Sequence, residues 1–207
     1  MAGQTTNYLF DYPTSTDYVK DGATAIQTLA TDVDTTLFTA LGGAYPGLRL
    51  VKKQTIGSAV SAITVTGAFS STYDNYLVFV NGGTPTNGTN VLLTLGSTAT
   101  GYYSSGFYIV YSSTSLVGIN TNNGSSWPNA ARGEASGTLM GQFTLSQPNL
   151  AKRTGIIIDG MEPVVGGAML KLGGFLDNNT QYTAFTLTLT SGTVTGGTIA
   201  VYGYGTS

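Results

Sequence analysis

Phe185-Thr186-Leu187-Thr188-Leu189-Thr190 alternates large apolar residues with threonine, one for one. Only a β-strand turns successive side chains to opposite faces, so this stretch reads as a strand with one face in a core and one in solvent. β-Branched threonine suits the open side of such a pleat. The same period recurs elsewhere. Ile63 and Val65 alternate with Thr64 and Thr66. Ile199 and Val201 alternate with Thr198 and Ala200, and Tyr202 and Tyr204 follow on the opposite face. Tyr76, Val78 and Val80 alternate with Leu77 and Phe79, apolar on both sides, which predicts a central strand covered on both faces.

Further strands are expected at Leu48–Ile56, Val91–Leu95, Gly106–Tyr111, Leu116–Asn120, Gly137–Leu145, Gly155–Met161 and Ala168–Phe175. Asn81-Gly82-Gly83, Asn87-Gly88, Asn123-Gly124 and Gly196-Gly197 separate them as turns that tolerate positive φ. Gly166-Gly167 and Gly173-Gly174 read as bulges or bends. No strand–helix–strand alternation is visible. About ten strands in series predict a mainly β chain, a jelly-roll-like antiparallel sandwich over residues 46–207.

Residues 1–45 differ. Asn7 to Asp17 reads as an extended or irregular arm, with Pro13 biasing Tyr12 away from helix. From about Gly22 the period changes: Ile26, Leu29, Val33, Leu37 and Ala40 stand 3, 4, 4 and 3 apart, on one helical face. Asp21 or Thr24 suits the N-cap and Gly42-Gly43 is a stop, giving one short helix of roughly five turns at 3.6 residues each. Its many threonines argue against stability in isolation, so the stripe needs a partner: the chain's own sandwich, or other copies in a parallel coiled coil.

Pro13-Thr-Ser-Thr-Asp17-Tyr18-Val19-Lys20-Asp21-Gly22-Ala23, continuing through Ala25-Ile26-Gln27-Thr28-Leu29 and Val33-Asp34-Thr35-Thr36, resembles the N-terminal segment of tailed-bacteriophage fibre and minor virion structural proteins. The resemblance covers residues 12 to 37. It implies an attachment or trimerisation element, with Tyr8, Phe10, Tyr12, Pro13, Tyr18 and Val19 gripping the particle and the helix stripe joining three copies. A looser resemblance to phage fibre-tip domains runs through Ile63-Thr-Val65, Tyr73-Asp-Asn-Tyr-Leu-Val78 and Gly197-Thr-Ile-Ala-Val-Tyr-Gly203.

Composition narrows the chemistry. The 207 residues contain neither cysteine nor histidine, which removes disulfides, thiolate and imidazole metal ligands and every His-dependent triad. Charged residues make up only 9%, against about 25% in an average domain. Net charge is −2 with no basic stripe, so no nucleic-acid partner is expected. No signal peptide and no apolar stretch long enough to span a bilayer are visible, so synthesis in a host cytoplasm and no membrane insertion are expected. The ten carboxylates read as solvated turn residues, Asp159, Glu162, Asp74 and Asp177 included, rather than as a glycoside-cleaving pair. Asp32 and Asp34 lack a calcium-loop pattern. No cofactor and no catalytic residue are expected.

Aromatic residues remain. Tyr102, Tyr103, Phe107, Tyr108 and Tyr111 crowd one region, and Trp127 follows Asn123-Gly-Ser-Ser126 in what reads as a loop. Core filling or contact between subunits is the favoured reading for the group. Exposed members would stack on sugars, and Trp127, Tyr102 and Tyr103 are the candidates for receptor contact, Trp127 first. The expectation is a non-enzymatic virion protein, a short homotrimeric tail fibre or adaptor that binds other phage structural proteins and, through an outward-facing domain, a host surface glycan. A capsid decoration or head fibre protein is the alternative, and a polysaccharide depolymerase a more distant one.

Overall fold

The computed structural model describes residues 3–6, 10–12, 14, 18, 21–40 and 47–205. The chain divides into two compact units, one of Met1–Gly47 with Gly205–Ser207 and one of Leu48–Tyr204.

In the first unit, β1 (Gly3–Gln4) pairs antiparallel with β2 (Asp11–Tyr12). Most of the arm expected over Asn7 to Asp17 lies outside the described residues, and what is described of it joins a small antiparallel ribbon. Thr5 closes it: its N–H donates to the Phe10 carbonyl at 3.0 Å, and its Oγ1 accepts the Phe10 N–H at 2.9 Å. Helix α1 spans Gly22–Ala40, directly after Asp21, and packs against β2. Its threonines do not stay idle. Thr28 and Thr31 donate their hydroxyls to the Thr24 and Gln27 carbonyls one turn back, both at 3.0 Å. The expected Gly42-Gly43 stop lies outside the described residues.

In the second unit the strand pairings are antiparallel wherever their register is described. One sheet has the order β4 (Ala62–Val65), β14 (Phe185–Leu189), β7 (Thr89–Leu95), β10 (Trp127–Gly133). The other runs β3 (Gly47–Thr55), β16 (Thr198–Gly205), β5 (Asn75–Asn81), β11 (Leu139–Ser146), β12 (Thr154–Met161), β13 (Ala168–Leu176), β8 (Tyr102–Val110), β9 (Val117–Gly124). Two short strands, β6 (Thr84–Pro85) and β15 (Val194–Thr195), pair beside them. Successive strands cross between the sheets in the manner of a jelly roll. The β11–β12–β13 meander fills the place of a single strand, and because it has an odd number of strands the antiparallel order is kept.

The sheets join at β11. Leu139 and Met140 bond to β10, while Gln142 to Ser146 bond to β12 on the same edge. Gly141 sits at this corner, where a Cβ would fall against the Ala130 carbonyl and 2.6 Å from Ala131, so no larger residue fits.

The alternation read in Phe185–Thr190 is visible in the register. Phe185 lies between Val65 and Leu95, and Leu187 between Ile63 and Leu93, all buried. Thr186 faces outward beside Thr64, their hydroxyls 2.9 Å apart. Strand β5 is central, between β11 and β16, with Leu77 buried on its second face. Across the sandwich, Phe143 of one sheet meets Phe185 of the other edge to face at 5.9 Å between ring centres.

Two expectations fail here. Gly173 and Gly174 form no bulge; they lie in an unbroken ladder against Ile157 and Ile156. Gly174 is needed for close approach instead, since a Cβ there would strike the Tyr103 carbonyl and come within 2.8 Å of Ser104. The stretch expected as a loop around Trp127 opens strand β10. Pro128 escapes the ladder's demand for an N–H because the pairing with β7 slips between Trp127 and Ala131.

Candidate functional site

On α1, the sequence-predicted stripe is only half covered. Leu29 and Val33 are half-buried, whereas Ile26 is 65% and Leu37 57% exposed. Phe38 is also open, and the Ala40 side chain lies outside the described residues. Of the arm residues, Phe10 is half-buried, Tyr12 and Tyr18 are exposed, and Tyr8, Pro13 and Val19 lie outside the described residues.

Trp127 is not a surface residue. It and Tyr102 are both 0% exposed and meet edge to face at 4.9 Å across the two sheets. The Trp127 indole N–H donates to the Tyr103 carbonyl at 3.2 Å. The Tyr102 hydroxyl accepts the Leu95 N–H at 2.9 Å and donates to the Thr98 carbonyl at 3.2 Å. Burial disfavours its phenolate and pushes its pKa up to about 12, only partly offset by the Leu95 N–H. Both side chains are core, and the expectation that they reach a receptor is overturned. The physical reason is the pleat: Tyr102 and Tyr103 are neighbours, so one must point in and the other out.

Tyr103 points out. It stacks on Phe175 across the β8–β13 pair, centres 5.0 Å apart and planes at 11°. The Arg153 guanidinium lies 5.6 Å from the Phe175 ring and is held by Asp177 at 2.7 Å. Beside the rings, Ser105, Asn120, Thr121 and Asn122 line an open groove of about 390 Å³, and Gly173 leaves its floor low. It is an uncharged, shallow surface of ring faces, amides and hydroxyls.

A second concavity, of about 300 Å³, lies between the sheets. Strands β7 and β10 supply Asn90, Asn129 and Arg132; β8, β9 and the β12–β13 hairpin supply Tyr108, Ile119 and Glu162. Arg132 donates Nε–H to Asn90 Oδ1 at 2.9 Å and turns Nη2 toward Glu162 at 3.4 Å. Sequence reading missed this cleft. Its charged pair comes from strands remote in the chain, and only the left-handed Asn129, next to Pro128, left any local trace.

Three carboxylates of the β domain are each paired with a base. Asp159 is bound to Lys171 at 2.8 Å, Asp177 to Arg153 and Glu162 to Arg132. Among the described residues no three of His, Cys, Asp and Glu cluster as metal ligands, and no helix is long and apolar enough to cross a membrane.

No protein-family profile matches the chain, and no curated protein matches its sequence. The family reading therefore rests on the residues 12–37 quoted above.

Proposed function

We propose that the chain is a structural subunit of a tailed-bacteriophage particle, a short trimeric tail fibre or adaptor whose β domain faces outward. The observation that carries this reading is the state of α1. The helix that bears the virion-like sequence keeps Ile26 and Leu37 open on the single chain. Exposed large apolar residues at helical spacing on a partly covered stripe favour a partner helix. The number three comes from the resemblance. In this reading the N-terminal unit grips a socket on the particle and sets the register of three copies. Three β domains, each offering the Tyr103–Phe175 groove, then gain avidity for a repeated surface.

Light scattering on the full chain and on a chain starting at Pro46 tests it. A trimer that falls to a folded monomer on truncation supports the fibre. A monomer in both cases overturns the trimer and moves the reading to a capsid decoration or adaptor subunit that assembles only on the particle.

A further inference from the structure

Three ion pairs among the described residues are arranged against the order that stability would choose. Arg153–Asp177 and Lys171–Asp159 lie in solvent, with side chains 43–65% exposed, and are tight at 2.7 and 2.8 Å. Arg132–Glu162 is withdrawn into the inter-sheet cleft, its side chains 17% and 18% exposed, and is loose at 3.4 Å. Withdrawing charges from water costs more than it returns unless the geometry is close, and charged pairs reach about 2.7–2.9 Å when nothing holds them apart. A loose, partly shielded pair therefore keeps hydrogen-bonding capacity to spare in the cleft that both residues line.

The backbone beside it is also placed at a cost. Asn129 stands at φ 60° where β10 slips against β7, a left-handed conformation inside a strand. Such positions cost on the order of 1 kcal/mol and concentrate at binding sites. Here the slip puts Asn129 on the cleft wall with Asn90 and Arg132. The facing side carries apolar Tyr108, Ile119 and Leu170 together with Glu162. The volume stands at the lower end of small-ligand pockets, which start at about 300 Å³.

We propose that this cleft binds one neutral sugar ring, such as the end residue of a glycan. A pyranose has an apolar C–H face for Tyr108, Ile119 and Leu170 and an edge of hydroxyls for the polar groups of both walls. There Arg132 and the two amides donate while Glu162 and the amide oxygens accept, so adjacent hydroxyls satisfy both members of the loose pair. The pair's charges cancel, which disfavours sugars bearing a carboxylate or an amine. The assignment stands on the cleft itself and does not depend on where in a particle the chain sits.

The test is a titration of the ¹⁵N-labelled full chain with methyl glucoside, galactoside, mannoside and N-acetylglucosaminide, each to about 50 mM, a range that detects millimolar binding. We expect saturable shifts of the Asn90 and Asn129 side-chain amides with at least one of them. Glu162→Gln and Asn129→Gly each weaken that binding fivefold or more. Asn129→Gly relieves the backbone strain, so it separates lost contact from lost fold. Phe175→Ala, in the outer groove, leaves the cleft affinity unchanged. Oligosaccharides carrying the same end residue shift the same amides, whereas those with that ring internal do not. Absence of saturable shifts overturns the proposal, as do shifts confined to Asn120 and Asn122 or unchanged affinity in Glu162→Gln.

Discussion

The two units of this protein treat apolar surface in opposite ways. The β domain consumes its own: Trp127, Phe143, Phe185, Leu93 and Leu145 are all within about 1% of full burial, and its two aromatic contacts across the sheets knit one continuous core. The N-terminal helix does not, leaving Ile26, Leu37 and Phe38 more than half exposed. A sandwich closes a core because each strand buries every second residue against a facing sheet. A lone amphipathic helix beside a two-stranded ribbon has too little neighbouring surface to cover its stripe. The difference separates a region that covers its apolar side chains within its own fold from one that leaves large ones exposed.

Three measurements bear on that contrast, beginning with the largest effect. Trp127→Ala removes the largest buried side chain and is expected to cost the β domain about 3–5 kcal/mol in denaturant unfolding. A loss under about 1 kcal/mol means that Trp127 is not the core residue described here.

The second effect comes from alkali. The Tyr102 pKa is raised in the folded state, to about 12, chiefly by burial. The unfolded chain titrates near the ordinary value of about 10 and loses its proton first. The stability is therefore whole below about pH 10 and falls as pH rises toward 12, by about 2–3 kcal/mol. Tyr76, raised by burial against the opposing Ser70 hydrogen bonds, adds loss in the same direction. Tyr102→Phe should flatten the curve in thermal melts between those pH values; an unchanged slope would assign alkaline unfolding to other groups.

The smallest effect is the most informative about the helix. Ile26→Ala is expected to change the denaturant midpoint of a dilute single chain by no more than about 0.5 kcal/mol, the usual range for an exposed position. A cost of 2 kcal/mol or more, typical of burial of about that size, would show that the helix is already covered within one chain and remove the contrast.

Much of the architecture was legible because period-two patterns are local. Phe185 to Thr190, Ile63 to Val65 and Tyr76 to Val80 each carry their own face assignment, and the period change at Gly22 marks the helix. Errors arose where punctuation misled. Asn123-Gly124 and Pro128 suggested a loop through Trp127, but the turn ends before it and the slipped register accommodates the proline. Gly173-Gly174 suggested a bend, but both lie in a straight ladder whose crowding against Ser104 explains Gly174.

The candidate sites were less legible. Tyr103 was among the residues singled out, yet composition could not distinguish it from Tyr102, and its stacking partner Phe175 comes from another strand. The Arg132–Glu162 cleft was invisible, since strands β7, β8, β10 and β13 meet there only after both sheets have formed.

The amino-acid sequence by itself determined the class of fold, the place where helix gives way to strand, and the absence of thiol and imidazole chemistry, because each depends on residue type or on spacing within one element. The tertiary structure decided which aromatics are core and which are surface, and which charges meet. Those outcomes depend on the register between strands far apart in the chain, where a shift of one residue exchanges the two faces of a strand.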